Sequence, residues 1–183
     1  MSQHLLDNRR HNVITASIAW SAVYERQKLW RQMTLREPPF DGNDMTEYGN
    51  THEHIALSAL EKELNDIIES GNKFVLHDSL PFGASPDGYY QGNVVEIKCP
   101  YSQEIYKDIP ERYYFQMQMQ MEVCNMPQAY FYIWTPNETK LQIVDRSKAW
   151  LKWYTPLALE FIQYVEDDIE PKRWTKKPIF NKE

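Results

Sequence analysis

Three stretches of the chain carry apolar residues every three or four positions, a spacing that predicts amphipathic helices. Thr15 is the expected N-cap of the first helix, and Gly71 with Asn72 is expected to stop the second. Ser147 is expected to begin the third, and Pro156 to kink it. The three predicted helices span residues 16–32, 45–70 and 147–169.

Shorter runs rich in branched and aromatic residues predict strands. Gln91-Gly92-Asn93 is a tight turn that joins two of them into an antiparallel hairpin, and Pro136 to Thr139 joins another pair. The proline-rich segment 36–44 and the segment 101–110 are expected to be irregular. The five predicted strands span residues 73–78, 83–90, 93–99, 128–135 and 140–145.

The segment 112–124 has an ambiguous pattern, because four apolar residues from Phe115 to Met121 alternate with glutamines as they would in a strand. We favour a helix, since Pro110 suits an N-terminal boundary and Met and Gln are good helix formers. A stripe at helical spacing supports this choice; it consists of Tyr114, Met117, Met121 and Cys124.

The resulting order of elements predicts an α/β (α+β) fold in which a central mixed β-sheet is flanked by helices. The chain has 183 residues, of which 42% are hydrophobic, enough for one domain spanning residues 1–183 with a real core. We find no apolar run long enough to cross a bilayer and no secretion signal near Met1. Two cysteines, Cys99 and Cys124, suit a reducing cytoplasm, which is the expected location.

The formal net charge of -6 argues against a protein that coats nucleic acid through bulk electrostatics. It does not argue against a nucleic-acid enzyme, because acidic residues that bind a metal add to the negative charge. Basic residues cluster at Arg9-Arg10 and in the segments 26–36 and 172–177. For the last two clusters, a solvated face is the favoured interpretation.

The main chemical signal is Ser85-Pro86-Asp87-Gly88 followed by Glu96-Ile97-Lys98 on the predicted hairpin. Each motif alone is usually structural, as a turn or as an exposed strand. Together on adjacent strands they place Asp87 and Glu96 close enough to share a hard cation such as Mg²⁺, with Mn²⁺ as a plausible substitute. Lys98 lies on the same face as Glu96, and Ile97 would add its backbone carbonyl as a ligand. This set predicts a metal-dependent nuclease.

These residues resemble the phage lambda-type exonucleases, also called YqaJ-like viral recombinases, of the PD-(D/E)XK nuclease superfamily. The segment from Arg10 to Ser17 is similar to the family's Arg-x-x-Val-Ile-Thr-Ala-Ser block. The segment from Tyr48 to Glu53 resembles its aromatic-glycine-glutamate helix, and Tyr113 to Gln118 resembles its Tyr-x-x-Gln-x-Gln helix. Four blocks in the same order make chance agreement unlikely.

The resemblance implies that Asp87 and Glu96 are metal ligands, that Lys98 is the catalytic lysine, and that Glu53 helps to hold a second ion. Without the resemblance, Glu53 would be read as an exposed helix residue. The histidines beside it do not complete an HExxH zinc motif, because position 56 is Ala56. Two ions per site suit in-line displacement at a phosphate.

The resemblance also implies an anchor for a terminal 5′-phosphate, for which Arg10 offers a fork of donors. The other candidates are Ser17, Ser85 and Gln116, with Gln118 as a weaker candidate for hydrogen bonding in the site. Four tyrosines could stack on bases, although core packing is the default reading; they are Tyr89, Tyr90, Tyr113 and Tyr114.

The implied activity is 5′-to-3′ digestion of one strand of linear double-stranded DNA, which leaves 3′ overhangs for phage-type recombination. The family further implies a ring-shaped homotrimer and a partner that anneals single strands. No membrane contact is expected, because no apolar run is long enough to span a bilayer. Two alternatives stay open at this point. One is a structure- or sequence-selective endonuclease on the same core, and the other is an inactive module that binds DNA ends.

Overall fold

The computed structural model describes residues 12–38, 41–71 and 73–181. Its helical part comprises a 3₁₀ turn at Ala16–Ile18 and five α-helices, which are α1 (Ser21–Tyr24), α2 (Arg26–Met33), α3 (Asp44–Leu64), α4 (Glu111–Val123) and α5 (Lys148–Glu166). Its strands are β1 (Ile14–Thr15), β2 (Glu69–Ser70), β3 (Val75–Leu76), β4 (Phe82–Ala84), β5 (Gly88–Tyr90), β6 (Asn93–Lys98), β7 (Gln128–Trp134) and β8 (Thr139–Asp145). None of these helices is long and apolar enough to cross a membrane.

The strands form two sheets, and the larger one has the order β2-β5-β6-β7-β8. Its central pair, β6 and β7, is parallel, whereas the other pairs are antiparallel. The smaller sheet has the order β1-β4-β3, with β1 parallel to β4. Helices pack against these sheets, so the predicted fold class, a mixed sheet flanked by helices, is confirmed.

The predicted hairpin is present, because β5 pairs antiparallel with β6 from Gly88 opposite Val95 to Tyr90 opposite Asn93. Its turn puts Gln91 at φ 48° and Gly92 at φ 76°, the left-handed region that two-residue hairpin loops need. The single strand predicted over 83–90 was wrong. Pro86 has no N–H for a strand ladder, and the chain passes from β4 in the small sheet to β5 in the large one.

Two of the predicted helices end differently in the structure. The first is interrupted at Glu25, whose backbone is not helical (φ -124°, ψ 34°). Thr15 ends β1 and is the N-cap residue of the 3₁₀ turn, as expected, but its side chain makes no capping hydrogen bond. The second ends at Leu64 because Asn65 takes a left-handed conformation (φ 52°), and residues 69–70 then pair with β5. The local backbone conformation at Glu25 and at Asn65 therefore sets both boundaries.

The helical choice for 112–124 is confirmed as α4, which Pro110 precedes. The alternation that suggested a strand arises because α4 is buried on several sides at once. Its Phe115 packs beside Trp150 and Tyr154 of α5, whereas Met117 and Met121 pack against β6 and β7. The helix therefore lies in the interior, and its glutamines reach the hairpin.

The last helix agrees with its prediction at the N-terminus, where the Ser147 hydroxyl accepts a hydrogen bond from Trp150 N at 3.1 Å. Pro156 lies inside α5, which continues to Glu166. The segment 101–110 is irregular, as expected.

Candidate active site

The structure brings Asp87 and Glu96 to the same end of the hairpin. Asp87 lies just before β5, and its backbone N–H donates to the Val95 carbonyl at 3.1 Å. One Asp87 carboxylate oxygen accepts a hydrogen bond from Ile97 N at 2.6 Å. These two contacts fix the Asp87 carboxylate against β6, where Glu96 and Lys98 share one face of the strand.

Glu96 is fully buried, yet both of its carboxylate oxygens have donors. Lys98 Nζ and Gln116 Nε2 donate to one oxygen, the latter at 2.6 Å. Gln120 Nε2 donates to the other oxygen at 2.5 Å. The two glutamines are one helical turn apart on α4, so a single helix face orients this carboxylate.

Charges in the site shift the pKa of both Asp87 and Lys98. Burial, the negative charge of Glu96 and that of Glu53 raise the pKa of Asp87 well above its usual range, although Lys98 opposes this shift. Burial alone would lower the pKa of Lys98, but Glu96 and Asp87 outweigh it and the pKa is raised. Lys98 is therefore an ammonium ion at neutral pH. Burial beside Glu96 thus disfavours the ionised form of Asp87, and a bound cation would favour it.

Glu53 reaches this region from α3. It lines an open cleft of about 730 Å³ together with Ile97 and Lys98. Its charge helps to raise the pKa of Asp87, and burial together with Glu53 raises the pKa of the Cys99 thiol to about 11. Cys99 is therefore a neutral thiol at physiological pH in the metal-free protein.

The donor set fits a hard divalent cation, because the carboxylates of Asp87 and Glu96 and the Ile97 carbonyl are oxygen ligands. Within the described residues, however, no three His, Cys, Asp or Glu side chains lie close enough to form a metal-binding group. Glu53 thus lines the cleft beside Lys98 without completing a three-carboxylate cluster. The geometry provides two neighbouring carboxylates, those of Asp87 and Glu96, and a third whose charge acts on Asp87.

Three of the four residues expected to anchor a 5′-phosphate lie together. Ser17, Ser85 and Gln116 line a second cavity of about 270 Å³, and Gln120 lines it too. Ser17 also lines the larger cleft, which puts the two spaces side by side. The fourth residue, Arg10, lies outside the described residues.

Gln118 is placed differently from its neighbours. Its side-chain N–H₂ donates to the Asp145 carbonyl at 2.8 Å, and its oxygen accepts from Ser147 N at 2.7 Å. The residue is buried and lines neither cavity. These contacts favour a structural role in joining α4 to the start of α5.

The four candidate tyrosines make internal contacts. Tyr113 lies over the Lys98 ammonium, whose nitrogen is 5.0 Å from the ring centroid. The others pack against side chains of the core or the C-terminal segment: Tyr89 contacts Cys124, Tyr90 contacts Tyr130, and Tyr114 contacts Phe180. Of the four, Tyr113 lines the large cleft.

The sequence prediction missed Gln120 and the contact between Tyr113 and Lys98. The position of Gln120 four residues after Gln116 was the available signal, since residues four apart share a helix face. The alternation hid this signal, because glutamine occupies every second position from Gln116 to Gln120 and only the packing of α4 tells these three residues apart.

Comparisons with known proteins concern the sequence family and the fold. Residues 6–127 match the family model of the YqaJ-like viral recombinase domain, a range that includes Glu53, both carboxylates of the hairpin and the glutamines of α4. No protein with a curated function matches the sequence significantly.

Two solved structures are similar in fold. The alkaline exonuclease LHK-Exo from Laribacter hongkongensis has a TM-score of 0.74 at 22% identity, over 88% of this chain and 91% of that one. LHK-Exo has also been solved in complex with dAMP. A phage-related exonuclease from Haemophilus somnus has a TM-score of 0.71 at 14% identity, over 85% of this chain and 94% of that one. At these identities the likeness establishes the fold.

Proposed function

The chain belongs to the YqaJ-like viral recombinase family, a family of lambda-exonuclease-type nucleases, and we propose that it digests one strand of linear duplex DNA in the 5′-to-3′ direction with Mg²⁺. The observation that carries this proposal is the convergence of Asp87, Glu96 and Lys98 at one end of the hairpin, beside a cleft that Glu53 also lines.

The proposed metal ligands are Asp87, Glu96 and the Ile97 carbonyl, with Glu53 contributing to a second ion. Mg²⁺ in this position would lower the pKa of the attacking water and offset the charge that develops on the phosphoryl oxygens. Gln116 and Gln120 hold the Glu96 carboxylate in a fixed orientation by hydrogen bonding to its two oxygens. The Lys98 ammonium, held between Glu96 and the Tyr113 ring, orients the nucleophile and stabilises negative charge at the phosphate.

The cavity lined by Ser17, Ser85 and Gln116 supports a preference for DNA ends. Hydroxyl and amide groups there can donate to a terminal 5′-phosphate, and Arg10 would complete the set. Because this cavity adjoins the catalytic cleft, a bound terminal phosphate would place the first phosphodiester near Asp87 and Glu96. Such an arrangement favours an exonuclease over an enzyme that cuts within a strand.

The test is digestion of a 5′-phosphorylated linear duplex and a closed circular duplex of the same sequence, each with Mg²⁺ or with EDTA. We expect loss of the linear duplex from its 5′ ends in Mg²⁺, and no digestion in EDTA. Circular DNA cut as fast as linear DNA would instead assign a structure- or sequence-selective endonuclease. If neither substrate is cleaved and the linear duplex is still bound more tightly than the circular one, the protein is an inactive module that binds DNA ends.

Replacing the lysine tests the chemical assignment separately. Lys98→Ala removes the ammonium but leaves Glu96 with its two glutamine donors. We expect kcat on the linear duplex to fall by about 100-fold or more, while calorimetry shows nearly unchanged Mn²⁺ binding. Full turnover in this variant would refute the role of Lys98.

By family membership, we also propose a homotrimeric ring around DNA and cooperation with a protein that anneals single strands, in the cytoplasm of a host cell. Light scattering coupled to size-exclusion chromatography tests the assembly, and a monomer at working concentration would contradict the ring.

A further inference from the structure

A basic region lies around a cavity of about 360 Å³ formed by α1, α2 and the segment 172–177. It brings together the two basic clusters that are far apart in the sequence. Six of its lining residues are basic and one is acidic; the basic ones are Arg26, Lys28, Arg31, Lys172, Arg173 and Lys177. None of its lining residues lines the catalytic cleft or the adjoining cavity.

The walls of this cavity are held by specific contacts. Trp174 Nε1 donates to the Val23 carbonyl at 2.7 Å, and Arg173 Nε donates to Gln27 Oε1 at 2.9 Å. These hydrogen bonds tie the C-terminal segment to α1 and α2. Residues of both basic clusters therefore line one cavity, while the lysines among them stay exposed to solvent as expected.

Arg26 at the cavity wall has an unused donor. Its side chain is 5% exposed, and its guanidinium carbon is 4.3 Å from the centroid of the Trp174 ring. Nη2 donates to Glu160 at 2.9 Å, but Nε is buried without a hydrogen-bond partner among the described residues. A buried, unpaired N–H is costly unless an acceptor occupies the space beside it.

The charges around the cavity are only partly neutralised. Arg31 pairs with Glu37 and Glu170, and Glu25 accepts a hydrogen bond from Ser21. Lys28, Lys172 and Lys177 are exposed, and none of the ion pairs within the described part of the chain involves them. In a chain of net charge -6, this is a local excess of positive charge.

We propose that this cavity binds the phosphodiester backbone of DNA at a distance along the strand from the catalytic cleft. Lysine ammonium groups and an arginine N–H match phosphate oxygens, and the cavity volume lies within the range of about 300–1,000 Å³ typical of small-ligand sites. It can therefore hold a nucleotide unit. The inference rests on the proposed function in one respect, since that function supplies DNA as the anionic ligand.

The test measures binding of a fluorescent dumbbell duplex, whose hairpin-capped ends leave no terminus for the catalytic site, in EDTA over a range of salt concentrations. The variant is Lys28→Gln/Lys172→Gln/Lys177→Gln. Its matched control is Lys62→Gln/Lys148→Gln/Lys152→Gln, which removes the same charge from exposed lysines outside the cavity. All six side chains are exposed, so both variants are expected to fold.

We expect the cavity variant to bind the dumbbell about tenfold more weakly than the wild type, with the salt slope reduced by about 3 because each lysine accounts for about one phosphate contact. The control should stay within about twofold of the wild type. Equal affinity in the cavity variant and the wild type overturns the proposal. In that case, binding of polyglutamate that depends on the same three lysines would assign the cavity to an acidic protein segment.

Cleavage of a linear duplex is measured in parallel with Mg²⁺, and this separates the two proposals. If the wild type binds the dumbbell through these lysines but does not cleave DNA, the proposed backbone site is supported and the proposed nuclease activity is refuted. If the wild type cleaves DNA but the triple lysine variant binds the dumbbell as tightly as the wild type does, only the proposed backbone site is refuted.

Discussion

Gln120 shows how a neutral side chain can control a buried charge. Its N–H₂ group is one of three donors to Glu96, and the residue is fully buried. We expect Gln120→Leu to weaken Mn²⁺ binding by about 10- to 100-fold, the usual effect of removing a hydrogen-bond partner of a metal ligand. Isothermal calorimetry with Mn²⁺ measures this effect.

The control for Gln120 is Gln118→Leu on the same helix. Gln118 is equally buried but bonds to the backbone at Asp145 and Ser147. Its loss should lower the free energy of unfolding by about 1–3 kcal/mol with little change in Mn²⁺ affinity. Equal Mn²⁺ affinities for Gln120→Leu and the wild type would show that Gln120 only fills space.

Asp87 should make the metal-free protein sensitive to pH. Its pKa is raised in the folded state, chiefly by burial and then by Glu96, so the unfolded chain loses this proton first as pH rises. The stability contributed by Asp87 is thus fully present below the ordinary carboxyl pKa and is lost as pH rises through the raised pKa.

Urea unfolding in EDTA at a series of pH values tests this behaviour of Asp87. Asp87→Asn should lose less stability than the wild type between acidic and neutral pH. Asp108→Asn, which changes an exposed carboxylate, is the control and should follow the wild type. Parallel curves for Asp87→Asn and the wild type would contradict the assigned cause.

The core of the site could be predicted at the level of single residues because its geometry is local. The period-two alternation of a strand puts Glu96 and Lys98 on one face, and a tight turn brings Asp87 opposite them. The donors from α4 could not be predicted in the same way. Gln116 became a candidate only by family resemblance, and Gln120 required knowledge of how a helix packs against a sheet.

Among the elements, those with strong local signals were predicted best. The Gln91-Gly92 turn specifies the hairpin, and Pro110 marks the start of α4. The division of residues 83–90 between two sheets has no comparable local signal. It depends on the pairing of β4 with β1, which is distant along the chain, and with β3, which has only two residues.

The connection between the sheets depends on a close approach at Gly71. A Cβ atom there would lie 2.2 Å from the Pro86 carbonyl oxygen and 2.7 Å from Gly88 N, both of them backbone atoms. We expect Gly71→Ala to lower the free energy of unfolding by about 1–3 kcal/mol, since overpacking forces the backbone to move. Because Asp87 lies between Pro86 and Gly88, weaker Mn²⁺ binding should accompany this loss.

Gly49→Ala is the comparison for Gly71→Ala. A Cβ atom at Gly49, within α3, would meet nothing within 4 Å. Alanine should therefore stabilise the helix by up to about 1 kcal/mol. Urea unfolding of the two variants gives both free energies. An unchanged free energy of unfolding in Gly71→Ala would show that the backbone at Pro86 and Gly88 can move to make room for the methyl group.

Across the whole molecule, the candidate site joins elements that are otherwise separate. Glu53 comes from α3, Asp87 from the connection between the two sheets, Glu96 from the centre of the large sheet, and Gln120 from α4. A cation would bind these carboxylates only in the folded state, because unfolding separates the ligands. Metal binding should therefore stabilise the entire fold.

We expect Mn²⁺ at about 100 times its dissociation constant to stabilise the protein by about 2.7 kcal/mol, which corresponds to a rise in Tm of roughly 5–10 °C for a domain of this size. Differential scanning calorimetry with Mn²⁺ and with EDTA measures the shift. Asp87→Asn removes a proposed ligand and should abolish most of it, whereas Asp108→Asn should retain it. An equal rise in Asp87→Asn would place the stabilising ion elsewhere, because a ligand that binds only the folded state cannot stabilise it through a site that has lost its carboxylate.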